Sequence, residues 1–139
     1  MADTNNIAFA YLRLPDGTCA LQRRTNDAPV SPGLLSFFGG HIEADETSHD
    51  AIVREISEET SLDLKHGDFK KLLTVKFDPR GTNKEKEYTL FVADTNRENF
   101  EVYEGEGSEV YSIDELLQRD DVAPGTINVI QLARQKGLI

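Results

Sequence analysis

The chain reads as an α+β domain, a mixed sheet held between helices, and three features of the sequence lead there. Short apolar runs of strand-like character recur along much of its length. The stretches with helical spacing between them are too few to serve as crossovers for an all-parallel sheet. A length of 139 residues with 38% hydrophobic content suits one domain, residues 1–139, able to bury roughly two thirds of its unfolded surface.

In chain order, Ile7 to Leu14 alternates aliphatic and aromatic residues and reads as a strand. Pro15-Asp16-Gly17 is a turn, and Thr18 to Arg24 returns as the hairpin partner. Thr25 to Gly33, rich in Asn, Asp, Pro and Ser, is a surface loop. Leu34 to Phe38, bounded by glycines, is a short buried strand. Thr47 caps a helix running from Ser48 to about Thr60, with Asp50 completing a capping box. Phe69 to Phe77 and Glu87 to Ala93 are strands flanking a turn-rich loop, Asp78 to Asn83. Phe100 to Tyr103 and Glu109 to Ile113 read as shorter strands around Glu104-Gly105-Glu106-Gly107-Ser108. Ser112 caps a short helix, Ile113 to Gln118. A last helix from about Thr126 to Lys136 stops at Gly137 with basic residues in its final turn, which suits the helix dipole.

A net charge of −10 argues against a protein that reads the phosphate backbone of duplex nucleic acid, which needs a basic stripe. It still permits a small polyphosphate ligand if metal ions neutralise it. Cys19 is the only cysteine, so no intrachain disulfide forms, and a reducing compartment is expected. Nothing around it suggests a nucleophile. The N-terminus, MADTNN, lacks the basic and apolar regions of a secretory signal, and no apolar run reaches the ~20 residues of a membrane span. A cytoplasmic protein without membrane partners is the expectation.

Gly39 to Leu62, GGHIEADETSHDAIVREISEETSL, carries the chemistry. At about 100° per residue, Glu55, Glu58 and Glu59 fall within roughly a third of the helix circumference. Ile52, Val53 and Ile56 take the neighbouring sector, the side that can be buried. Arg54 precedes Glu58 by four residues, within ion-pair reach. Like charges so close cost helix stability unless something offsets them, and clustered carboxylates suit Mg²⁺ shared with substrate phosphates. Without a cation the same helix is only a solvated acidic face.

The wider spacing runs Gly40, five residues, Glu46, seven residues, then Arg54-Glu55-Ile56-Ser57-Glu58-Glu59-Thr60-Ser61-Leu62. It resembles the Nudix box of MutT-like pyrophosphohydrolases, G-x5-E-x7-R-E-U-x-E-E-x-G-U, where U is bulky and apolar. Eight of the nine specified positions match, and Ser61 stands where the family has glycine. That departure bears on how the chain leaves the helix and touches no carboxylate.

The resemblance implies the Nudix α/β/α sandwich with a loop–helix–loop box. It implies hydrolysis of a nucleoside diphosphate linked to a moiety X, a nucleoside triphosphate or an oxidised nucleotide among the candidates, so that the partner is a small nucleotide derivative. A non-catalytic Nudix-fold nucleotide-binding or regulatory module is the alternative. By the same resemblance Glu55 and Glu59 are Mg²⁺ ligands, with Mn²⁺ able to substitute. Glu58 is a ligand or the general base, and the Gly39 carbonyl joins the metal site. Arg54 orients a catalytic glutamate. Gly40 lets the loop approach the phosphates, and Glu46 either favours the helix dipole or shapes the loop. Family members also use a base on a downstream loop, here Glu104, Glu106 or Glu109, and Glu109 best resembles the extra metal-binding glutamate. For substrate contacts the expectations are His41, Phe38, and Arg23 or Arg24, at least one of that pair being an ordinary solvated charge, with Phe37 or Phe38 in the core because they alternate. Where guanine-cleansing members carry Asn, this chain has Thr126, which weakens that reading. His49 and His66 are expected to face solvent, and nothing near them has zinc spacing. The sequence does not give the oligomeric state, and a homodimer is the protein partnership it leaves open.

Overall fold

The structure, a computed structural model, describes residues 2–78, 81, 83–95 and 100–139, with backbone alone for 2–4. β1 (Ala2–Arg13) turns at Pro15-Asp16-Gly17 into β2 (Cys19–Arg23). Gly17 takes φ +86°, which glycine adopts without strain, and Asp16 Oδ1 accepts from the Thr18 N–H at 3.0 Å. β3 (Leu35–Ser36) and β4 (Phe38–Glu43) follow, then α1 (Ser48–Glu59) and a single 3-10 turn, His66–Asp68. β5 (Lys70–Phe77), β6 (Lys86–Asp94), β7 (Ser108–Tyr111), α2 (Ile113–Gln118) and α3 (Pro124–Gln135) complete the order.

The seven strands form one sheet in the order β3-β2-β1-β6-β5, with β4 also on β1 and β7 on β2. β1 and β6 run parallel from Asn6↔Glu87 to Arg13↔Asp94, and the other pairings are antiparallel, so the sheet is mixed. β2 and β4 share the edge of β1 opposite β6. Strand alternation divides the core in two. Ile7, Phe9 and Tyr11 point to the face covered by α2 and α3, where Leu116, Val129, Ile130 and Ala133 are buried. Ala8, Ala10 and Leu12 point to the other face, against Ala51, Ile52 and Ile56 of α1. Each of those isoleucines is worth about 1.5–3 kcal/mol of burial, enough to fix the helix to the sheet. This is the sandwich of helices about a mixed sheet that the sequence predicts.

Helix signals are realised closely. Thr47 Oγ1 accepts from the Asp50 N–H at 3.0 Å while Asp50 accepts from the Thr47 N–H at 3.2 Å. Ser112 and Glu115 make the same reciprocal pair for α2. α3 starts at Pro124, earlier than the expected Thr126, because proline at the first helical position is already set at the helical φ.

Three expectations are corrected. The strand expected at Leu34 to Phe38 is broken at Phe37, and its second part runs on through the glycine pair to Glu43. Gly39 permits this, with φ +139° and a backbone so close to β1 that a Cβ would lie 2.0 Å from the Ala8 carbonyl oxygen. Phe100 to Tyr103 forms no strand, only one bridge between Val102 and Thr60. The strand expected at Glu109 to Ile113 is Ser108–Tyr111, since Ile113 already opens α2. Of the turn-rich loop, Pro79, Arg80 and Thr82 lie outside the described residues. No helix among the described residues is long and apolar enough to cross a membrane.

Candidate active site

α1 presents Glu55, Glu58 and Glu59 beside the strand that carries Gly39 and Gly40. Glu59 is 3% exposed, and its Oε1 accepts from the Gly39 N–H at 2.9 Å. Burial pushes its carboxyl up to about 8, with Glu55, Glu104 and Glu58 adding repulsion and the Gly39 N–H opposing. Glu55 is also raised, first by burial; Arg54 pulls it down while Glu58 and Glu104 push it up. Gly40 is the clearance for this group: a Cβ there would meet Glu55 Oε1 at 2.7 Å. Gly39 meets Glu59 through its N–H, whereas the sequence reading uses its carbonyl.

Arg54 organises the box. It pairs with both oxygens of Glu46 at 2.7 and 2.8 Å, with Glu55 at 3.0 Å and with Glu58 at 3.3 Å. Its Nη2 also donates to the His41 carbonyl at 3.1 Å. Glu46 in turn accepts from the Glu43 N–H at 3.0 Å, so it closes the loop before α1 and does more than favour the dipole. Glu58 stays open to solvent, its side chain 57% exposed.

The serine in place of the box glycine is accommodated simply. The chain leaves α1 in extended conformation at Thr60, φ −139°, so no left-handed residue is needed. The Ser61 N–H donates to the Glu101 carbonyl and its Oγ accepts from the Glu101 N–H, at 2.9 and 2.8 Å. The Tyr103 N–H donates to the Glu59 carbonyl at 2.7 Å. The segment leading into Glu104 is therefore stitched to the helix end.

Glu109 is not brought to this cluster. It sits on β7 and pairs with Arg23 at 2.6 and 2.8 Å, and the Tyr111 hydroxyl donates to it at 2.6 Å. Arg23 holds its carboxyl below the usual range. Arg23 is equally committed, binding Asp121 at 3.0 Å and the Gly33 carbonyl at 3.1 Å, so it is not free for a phosphate. The downstream carboxylate whose charge reaches Glu55 and Glu59 is Glu104, an exposed residue. No signal in the linear sequence separates Glu104 from Glu109.

A cavity of about 280 Å³ adjoins Gly39 and Gly40. Phe9, Phe37 and Tyr88 line it, with ring centroids 5.5 Å (Phe9–Phe37) and 5.4 Å (Phe9–Tyr88) apart. Gln22, Ser36 and Thr126 add polar groups, and His41 lies on its wall. Phe38 does not line it. Strand alternation turns Phe38 to the opposite face, under α1, and the aromatic at the cavity is Phe37. Arg24 and Lys86, not Arg23, supply positive charge there, and no Asp or Glu lines the cavity among the described residues. Elsewhere, His49 and His66 stack at 4.8 Å, and His66 Nε2 lies 2.9 Å from Asp50 Oδ1. Cys19 is fully buried and its thiol is pushed up by that burial.

Does the acidic cluster suit a metal? Among the described residues, no three His, Cys, Asp or Glu side chains close on a metal position unaided. The donor chemistry nevertheless fits a hard divalent cation. Glu55 and Glu59 are both half-buried or deeper, carry only oxygen donors and repel one another in low dielectric, a cost that a cation would offset. Mg²⁺ typically keeps several waters and borrows substrate oxygens, so an open carboxylate set is adequate.

The family model described as NUDIX domain matches residues 4–133. The bovine m7GpppN-mRNA hydrolase NUDT17 is 43% identical over 58 residues, covering 42% of this chain but only 19% of that protein. A crystal structure of a MutT protein from Methanosarcina mazei Go1 superposes with a TM-score of 0.79 at 18% identity, over 95% of this chain and 94% of that one. A bifunctional NMN adenylyltransferase/ADP ribose pyrophosphatase from Francisella tularensis, complexed with AMP and Mn ion, gives 0.71 at 19% identity, over 98% of this chain and 42% of that one. At such identities the structural likeness speaks for the fold alone.

Proposed function

This chain belongs to the Nudix family, and from that premise we propose that it is a Mg²⁺-dependent pyrophosphohydrolase acting on a nucleoside diphosphate linked to a moiety X. Nudix proteins are generally hydrolases that use divalent metal ions. The observation that carries the finer reading is the pair Glu55 and Glu59, buried together beside the Gly39-Gly40 backbone with too little positive charge near them. A binding module would have no need to hold that repulsion.

In this reading Glu55 and Glu59 hold the cation, with Glu104 in reach from the downstream loop in the place the sequence assigns to Glu109. Bound there, a divalent ion would neutralise the diphosphate and acidify a water. Glu58, exposed and steadied by Arg54, accepts the proton of the attacking water. Gly40 leaves room for the Glu55 carboxylate. The aromatic cavity receives the nucleoside, and Arg24 and Lys86 attract its phosphates.

A cleavage screen with Mg²⁺ or Mn²⁺, read by separating the nucleotide products, tests this. The panel spans nucleoside triphosphates, nucleotide sugars, dinucleoside polyphosphates, ADP-ribose and capped RNA ends, the last two prompted by the similar proteins. Metal-dependent cleavage of at least one class is expected. No cleavage of any, with either ion, would overturn the enzymatic reading.

A further inference from the structure

Among the described residues three buried polar side chains line the cavity, and two of them are already committed. Thr126 Oγ1 accepts from the Phe37 N–H at 3.1 Å and lies 3.4 Å from Ser36 Oγ, whose hydroxyl donates to the Phe37 carbonyl at 3.0 Å. Gln22 differs. It is 4% exposed, and its Nε2 donates to the Glu104 carbonyl at 2.9 Å. That partner fixes the amide's orientation, because a backbone carbonyl can only accept. Gly105 packs against the same amide, where a Cβ would lie 3.2 Å from Nε2. Gln22 Oε1 accepts no hydrogen bond from the described residues. No fully enclosed side-chain oxygen or nitrogen among them lacks a partner, so Oε1 is not fully enclosed, and Gln22 lines both this cavity and a second one on the side of Glu104 and Gly105, the side its Nε2 faces.

We infer that Gln22 is the specificity-determining residue of the cavity, its carbonyl oxygen accepting a hydrogen bond from a neutral N–H on the edge of a heteroaromatic ring. The inference rests on the nucleoside being seated in this cavity, as proposed above. Phe9, Phe37 and Tyr88 offer aromatic surface to a flat ring. Arg24 and Lys86 on the same wall disfavour a cationic donor such as an ammonium. An acceptor that is an amide suits a ring amide or an exocyclic amine, and a ligand lacking that N–H leaves the oxygen desolvated and unpaired. The other end of the same amide holds the loop that carries Glu104.

Isothermal titration with AMP, GMP, CMP and purine riboside 5′-monophosphate, which has no N–H on its ring edge, tests this in metal-free buffer. The unsubstituted protein is expected to bind at least one of the first three about tenfold more tightly than the fourth, the scale of one well-placed hydrogen bond. Gln22→Met, close in size and without the amide, is expected to erase that difference. Equal affinities in the unsubstituted protein, binding of none of the four, or a preference that survives Gln22→Met would each overturn the proposal. If Gln22→Met fails to fold, Gln22→Leu takes its place with the same expectation, and a preference that survives it overturns the proposal. Monophosphates are not cleaved and no metal is present, so the result is independent of whether hydrolysis is found.

Discussion

Two charged clusters stand on this small sheet, and they are built on opposite terms. In the first, Arg23 and Arg119 face Glu109 and Asp121, with the Arg119 guanidinium 4.3 Å from the centre of the Tyr111 ring. Charges balance, and both carboxyls are held below their ordinary range, Glu109 by Arg23 and Asp121 chiefly by Arg119. In the second, Arg54 alone serves Glu46, Glu55 and Glu58, with Glu59 buried alongside and Glu104 nearby. Glu46 is lowered because it receives most of the guanidinium, while Glu55 and Glu59 are raised. A balanced cluster ties strands together. An unbalanced one carries a deficit that a cation can fill, which makes the deficit a better pointer to function than the number of acids.

The contrast can be broken most sharply at its extreme member. Glu59→Gln, or Glu55→Gln, is expected to lower the cleavage rate by about 10²–10⁴-fold, the range for removing a catalytic charge. The melting temperature of metal-free Glu59→Gln should hold or rise, because a buried repulsion has been removed. Turnover like that of the unsubstituted protein in both variants would refute the assignment.

A second expectation concerns pH. A carboxyl raised by burial keeps its proton longer in the folded chain than in the unfolded one, so stability falls as pH rises between the two values. Metal-free protein should therefore lose stability from about pH 4.5 to about pH 8 through Glu59 and change little above. Saturating Mg²⁺ at pH 8 should restore it, and Glu59→Gln should abolish this component of the profile. Thermal melts across that range, with and without Mg²⁺, measure all three.

The smallest effect sharpens the comparison between the two downstream glutamates. Glu104→Gln is expected to reduce turnover by about tenfold with little change in stability, as for loss of one charge acting at the site. Glu109→Gln should do the reverse, costing roughly 1 kcal/mol by denaturant titration with activity nearly unchanged, since it breaks a partly exposed ion pair. An unaltered rate in Glu104→Gln would return the downstream role to open question.

Much of this was readable beforehand where the signal is local. The Thr47/Asp50 and Ser112/Glu115 caps, the Pro15-Asp16-Gly17 turn and the spacing of Ile52 and Ile56 each lie within a few residues of what they specify. What escaped was set by partners far along the chain. Whether Phe37 or Phe38 meets the cavity depends on strand parity against β1, and the break at Phe37 hid it. Glu109 pairs across from Leu21 of β2 and so falls to Arg23, while the segment carrying Glu104 is held to the end of α1 through Tyr103 and to β2 through Gln22. Val102 takes only one bridge, so an apolar run that looked like a strand is instead a strap on the helix end.

The parallel pairing of β1 with β6 joins Arg13 to Asp94, 81 residues apart. Closing so long a loop costs entropy before the contacts return anything, and such topologies order late. Ile52 and Ile56 rest on a surface that includes Phe91. Until that distant strand arrives, the acidic spiral has only half its bed, so the carboxylates are gathered by the closing of the sheet. Tolerance of their mutual repulsion is thus a property of the finished molecule, and a nascent chain need never confront it.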